Sequence, residues 1–142
     1  VMNLTALAKA YCESRSSTGL LLDDAECLQR LKEATAFYHA LQPVLSLVES
    51  DPAQADHPTV EAVTDVAVLN AGEWQLIRPL FVLYVERSNA MRLEASRGEG
   101  VDPYGRSSSE VAAEIFNYET DILPRKAFVE EPFTVGLDDQ WN

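Results

Sequence analysis

Leu4, Leu7, Ala8, Tyr11 and Cys12 recur at the spacing that gathers side chains on one helix face. The stretch from Leu4 to Glu13 therefore reads as an amphipathic helix, with Asn3 as its N-cap. A polar run, Ser14 to Gly19, has the chemistry of a turn. Cys27, Leu31, Ala34, Tyr38 and Leu41 form a second stripe, widened by Leu28 and Phe37. Asp23 and Asp24 precede it, where negative charge suits the first turn of a helix. Gln42-Pro43 ends it, because proline clashes with the preceding turn and has no amide proton.

The period changes after Pro43. Val44-Leu45-Ser46-Leu47-Val48 is short and β-branched at both ends, and a loop from Ser50 to Pro58 follows. Val60, Ala62, Val63, Val66 and Val68 have the composition of a strand. This predicts a small hairpin between two helical regions. A helical pattern returns at Asn70, with Glu73 three residues on as a capping box. Trp74, Ile77, Leu80, Phe81, Tyr84, Val85, Met91 and Leu93 carry it to about Ala95, with Pro79 expected to kink it.

Gly98-Glu99-Gly100 and Asp102-Pro103-Tyr104-Gly105 read as a helix end followed by turns. A second capping box, Ser107 with Glu110, starts a helix whose stripe is Val111, Ile115, Tyr118 and Ile122. Pro124 is expected to stop it. Beyond Arg125 the helical period is lost. Phe128, Phe133, Val135, Leu137 and Trp141 are separated by Pro132, Gly136 and the acids Glu130, Glu131, Asp138 and Asp139. The pattern is thus mainly α: a small bundle with one long kinked helix and a short β-hairpin (residues 1–126), then an extended C-terminal tail (127–142).

Composition supports a packed domain: 46% of the 142 residues are hydrophobic and 24% charged. Charge is the outlier, with 23 acids against 11 bases and a net of −12. Such a surface repels the nucleic-acid backbone. The imbalance is steepest over residues 1–77, which hold 11 acids and 4 bases. Cys12 and Cys27 lack the spacing of a zinc or redox motif and read as buried, reduced thiols. No signal peptide and no apolar run of membrane-spanning length are visible.

Catalytic signatures are missing. His39 and His57 have no ligand partner at metal-site spacing, and no G-x-S-x-G elbow is present. Gly98-Glu99-Gly100 lacks the third glycine and preceding strand of a dinucleotide site. Glu73, Glu86 and Glu94 lack the Glu-x-x-His partners of a carboxylate-bridged metal bundle. They read as a solvated or salt-bridged face beside Arg87 and Arg92. The residues predict no cofactor, no metal and no enzyme, and leave an assembly component.

One resemblance sharpens that expectation. The run Gly72-Glu73-Trp74-Gln75-Leu76-Ile77-Arg78-Pro79-Leu80-Phe81, then Leu83-Tyr84-Val85-Glu86-Arg87 and Ala90, looks like a stretch of the small head–tail connector (adaptor) proteins of tailed bacteriophages. Leu93-Glu94-Ala95-Ser96-Arg97, Gly105-Arg106-Ser107-Ser108-Ser109-Glu110-Val111 and Leu123-Pro124-Arg125-Lys126-Ala127-Phe128 continue it. These motifs are compositional, and they cover about half of the chain.

The resemblance implies a virion protein made in the host bacterial cytoplasm. It implies a ring of identical subunits, commonly twelve, that docks on the phage portal and receives the next tail or collar component. DNA would pass through the channel without specific binding. It makes Arg125, Phe128, Phe133, Val135, Leu137 and Trp141 candidates for holding the partner. Trp74, Phe81, Tyr84 and Arg87 become candidates for packing subunit on subunit, although the three aromatic residues read equally well as core. The alternative is a cytosolic helical adaptor or regulator that binds one partner through its tail.

Overall fold

The computed structural model describes residues 2–49, 59–96 and 105–128. The fold is mainly α. Helices α1 (Leu4–Arg15), α2 (Asp24–Leu41) and α3 (Ala71–Ala95) pack with α4 (Ser108–Asn117) and α5 (Leu123–Ala127) around one core. Two short antiparallel ladders accompany them. Strand β1 (Met2–Asn3) pairs with β4 (Val68–Leu69), and β2 (Val48–Glu49) pairs with β3 (Thr59–Val60).

Each predicted N-cap forms, while Gly98-Glu99-Gly100, expected to end the long helix, lies outside the described residues; the helix ends at Ala95. Asn3 accepts from the Ala6 amide at the start of α1. Asp23 and Glu26, Asn70 and Glu73, and Ser107 and Glu110 build capping boxes on α2, α3 and α4. Helix α2 ends at Leu41, with Gln42 extended before Pro43. The α1–α2 connection turns at Gly19, whose φ of 91° is left-handed and suits glycine.

The hairpin exists but is smaller than the valine pattern predicts. Leu45–Leu47 is a 3₁₀ turn, and only Val48 and Glu49 reach across to Val60 and Thr59. Val68 belongs to a different ladder, which ties the N-terminus to the entry of α3. Residues 61–67 make no ladder between the two, and Val66 is exposed. β-Branched composition thus marked an extended connection with pairing only at its ends.

Helix α3 is the spine, 25 residues or about 37 Å long. It lies against α2 on one side and α4 on the other. It continues through Pro79, which is exposed, as is Gln75 four residues before it. The carbonyl that proline leaves without an amide donor therefore faces water, where hydration limits the cost. Met91, expected on the buried stripe, is 57% exposed; Ala90 takes the core position instead.

Pro124 does not end the helical path. Helix α4 opens into a π turn at Tyr118–Ile122, where the Leu123 amide donates to the Tyr118 carbonyl, and α5 follows directly. The wider turn inserts one residue into the helical phase. The buried stripe therefore runs Val111, Ile115, Tyr118 and then Leu123 and Ala127, with Ile122 displaced to partial burial. Proline sits in the first turn of α5, where its missing amide proton is tolerated. Helix α5 also crosses the boundary drawn at residue 126, since Ala127 is buried.

Candidate functional site

The aromatic residues of α3 face inward. Phe81 is completely buried, with the Tyr11 ring edge-on at 4.9 Å and the Trp74 ring at 6.2 Å between centroids. Tyr84 is buried too, its hydroxyl donating to a Glu119 carboxylate oxygen. Burial and that carboxylate hold the Tyr84 phenol well above its ordinary range. The Arg87 guanidinium lies over the Tyr84 ring at 5.4 Å. Phe81 and Tyr84 thus spend their surface inside their own subunit. Of the four candidates for subunit packing, only Trp74 and Arg87 keep a partly exposed side chain.

The three glutamates of α3 have separate structural tasks, with partners other than Arg87. Glu73 is 5% exposed and accepts from the amides of Asn70 and Leu45, both at 2.9 Å. It therefore closes its own helix cap and pins the 3₁₀ turn to the start of α3. Glu86 binds Arg106, which also reaches Glu114 on α4. Glu94 accepts from the Ser108 amide at 2.8 Å and its hydroxyl at 2.7 Å, at the first turn of α4. Arg92 pairs with Glu26 of α2 and donates to the Leu21 carbonyl. Among the described residues no group of His, Cys, Asp and Glu is placed to hold a metal ion.

His39 is an orienting group. The Val44 amide donates to its Nδ1, so Nε2 carries the proton and donates to the Glu61 carbonyl, each at 2.9 Å. The ring thereby joins the end of α2 to the connections on either side of the hairpin. Cys12 and Cys27 are both buried free thiols, and burial pushes Cys12 up to about 12. A thiol so held is a poor nucleophile. His57 lies outside the described residues.

A cavity of about 780 Å³ lies where the end of α2, the start of α3 and the end of α5 meet. Tyr38, Leu76 and Ala127 give it apolar lining, and Glu73 and Lys126 line it too. Leu45 and Phe128 also line it, at 68% and 59% exposure. Two large apolar side chains in water thus flank one concavity. That grouping is more informative than a lone exposed leucine.

Compared with protein-family models, curated proteins and solved structures, the chain matches none.

Of the six partner-binding candidates, the described residues contain Arg125 and Phe128. Both are exposed at the end of α5, with Arg125 paired to Asp121 one turn back. Phe133, Val135, Leu137 and Trp141 lie outside the described residues. Leu45 and Lys126 were missed in the sequence, where the first read as part of a short strand and the second as the last residue of the helical domain. The signal that could have found Leu45 is weak: a leucine two residues after Pro43, in a run where Val44, Leu47 and Val48 are equally apolar. Among the described residues, no helix is long and apolar enough to cross a membrane.

Proposed function

We propose that this chain is a structural assembly protein, a head–tail connector that docks on a phage portal in a ring and links capsid to tail. The observation that carries the reading is the way the chain leaves its bundle. Helix α5 closes the core with Leu123 and Ala127, and the next residue, Phe128, is already exposed beside Arg125. The chain thus leaves the bundle at an exposed point, and an apolar, proline-containing sequence continuing from it suits binding through main-chain and pocket contacts.

Three further features support it. The connector-like residues of α3, α4 and α5 make one continuous packed unit. Buried Glu73 serves a helix cap, a structural use of a carboxylate. The net charge of −12 suits a surface past which DNA must slide.

The test uses the portal protein encoded near this chain's gene. Mixed with it, the full chain is expected to form a ring on the portal in electron micrographs. Deleting residues 129–142 should leave the helical fold intact and abolish docking; undiminished docking by that deletion would reject the assignment. A one-to-one complex with a non-virion protein would instead favour the cytosolic adaptor.

A further inference from the structure

We propose that the cavity between α2, α3 and α5 binds a small amphipathic carboxylate. Its apolar body lies against Leu45, Leu76 and Phe128, and its head is held by Tyr38 and Lys126. The volume, about 780 Å³, falls within the range of small-molecule pockets, roughly 300–1,000 Å³. The observation that points to a ligand is the Tyr38 hydroxyl. Tyr38 is 6% exposed, lines the cavity, and has no hydrogen-bond partner among the described residues. The unpaired polar side-chain atoms sealed from solvent among those residues are Arg30 Nε and Thr35 Oγ1, so the Tyr38 oxygen reaches open space. A buried phenol ordinarily finds a partner; one left free at a cavity wall keeps its donor for a molecule that enters. Burial and the Glu73 carboxylate raise the phenol above 10.0, which keeps it protonated near neutral pH.

The other groups of the lining fix the chemistry of the ligand. Lys126 has no ion-pair partner among the described residues, so its positive charge is uncommitted. Glu73 lines the same cavity, but each of its carboxylate oxygens already accepts an amide, from Leu45 and from Asn70. What stays open to a ligand is therefore a phenol and an ammonium, both donors. A carboxylate meets them with two acceptor oxygens and the opposite charge. Glu73 repels such a head from the start of α3 and so favours a position nearer Lys126. Leu45 and Phe128, at 68% and 59% exposure, offer apolar surface that an aliphatic or aromatic body takes out of water. A cation would meet Lys126, and a wholly polar molecule would leave these two side chains wet. The site does not depend on whether the chain joins a virion.

The test titrates the ¹⁵N-labelled full chain with decanoate and follows the amide shifts by NMR. A saturable change centred on Leu45, Gly72, Leu76 and Ala127 is expected, with a Kd below about 1 mM. Decyltrimethylammonium, which carries a cationic head on an alkyl chain of similar length, is expected to bind at least about tenfold more weakly. Lys126→Glu, at an exposed position without an ion-pair partner, should weaken decanoate binding at least about fivefold. Tyr38→Phe removes a hydroxyl that no group of the protein holds; it should weaken binding about threefold without lowering the thermal midpoint. Shifts spread over the surface, no saturation, or binding of the cation as tight as that of decanoate would overturn the proposal. Unchanged affinity in either variant would do the same.

Discussion

Glu73 and Thr35 show how two buried polar side chains of one core differ. Glu73 is satisfied by the Leu45 and Asn70 amides, one at each carboxylate oxygen. A glutamine in its place would keep a single oxygen and turn its amide group toward a donor. Glu73→Gln is therefore expected to lower unfolding free energy by about 1.5–3 kcal/mol, the range for hydrogen bonds to a charged group. Urea denaturation followed by circular dichroism measures it. Thr35 is fully buried on α2, and its hydroxyl has no hydrogen-bond partner among the described residues. Thr35→Val removes an unsatisfied group at almost constant volume and is expected to raise stability by about 1 kcal/mol. A loss of stability in the same urea titration would show that the hydroxyl is in fact bonded. Neither residue announced itself in the sequence: Glu73 was legible as a cap but not as the anchor of Leu45, a contact 28 positions away. Thr35 sat next to Ala34 on a stripe already complete without it.

At the scale of elements, helix starts were readable and helix continuations were not. Asn3, Asn70 and Ser107 cap where local sequence says they do, because a cap is a contact among residues three apart. Proline was the harder signal. Its rule describes the cost of a lost amide and a crowded turn, and placement lowers that cost at both prolines. Pro124 follows a π turn that has already widened the helix. At Pro79 the carbonyl left without a donor belongs to Gln75, and both residues are exposed. Cost remains there, since proline in a helix interior is about 3 kcal/mol worse than alanine. Pro79→Ala is thus expected to stabilise the protein by about 1–3 kcal/mol, seen as a higher thermal midpoint. If the midpoint falls, the backbone path that Pro79 imposes is needed for α3 to pack on α2 and α4 together. The cavity was invisible at this scale because α2, α3 and α5 bring its walls together from three separated stretches of chain.

For the whole molecule, the fold class and the capped helices were legible because they rest on local period. The phase change at Tyr118–Ile122 and the β1–β4 ladder depend on tertiary packing and were not. The same packing sets the pH response. Burial raises Tyr11, Tyr38, Tyr84 and Tyr118 above 10.0, and Cys12 and Cys27 above 9.0, in the folded state. For an acid whose folded value is raised, the unfolded chain loses its proton first. Stability from these groups is therefore complete below the unfolded values and falls as pH rises through about 9 to 12. On the other side, the Arg92 guanidinium holds Glu26 below 4.5, so that contribution is lost as pH falls through the folded value. The Glu26 side chain is 36% exposed and water screens the pair, which makes the acid arm shallow by comparison. Thermal midpoints measured from about pH 3 to about pH 11 should show a plateau near neutrality and a steep alkaline decline. Tyr84→Phe removes one of the contributing phenols, together with its bond to Glu119. It is expected to lower the plateau while making the alkaline decline less steep. An unchanged alkaline slope in that variant would mean that Tyr84 ionises alike in the folded and unfolded chains, and that its burial beside Glu119 is not maintained in solution.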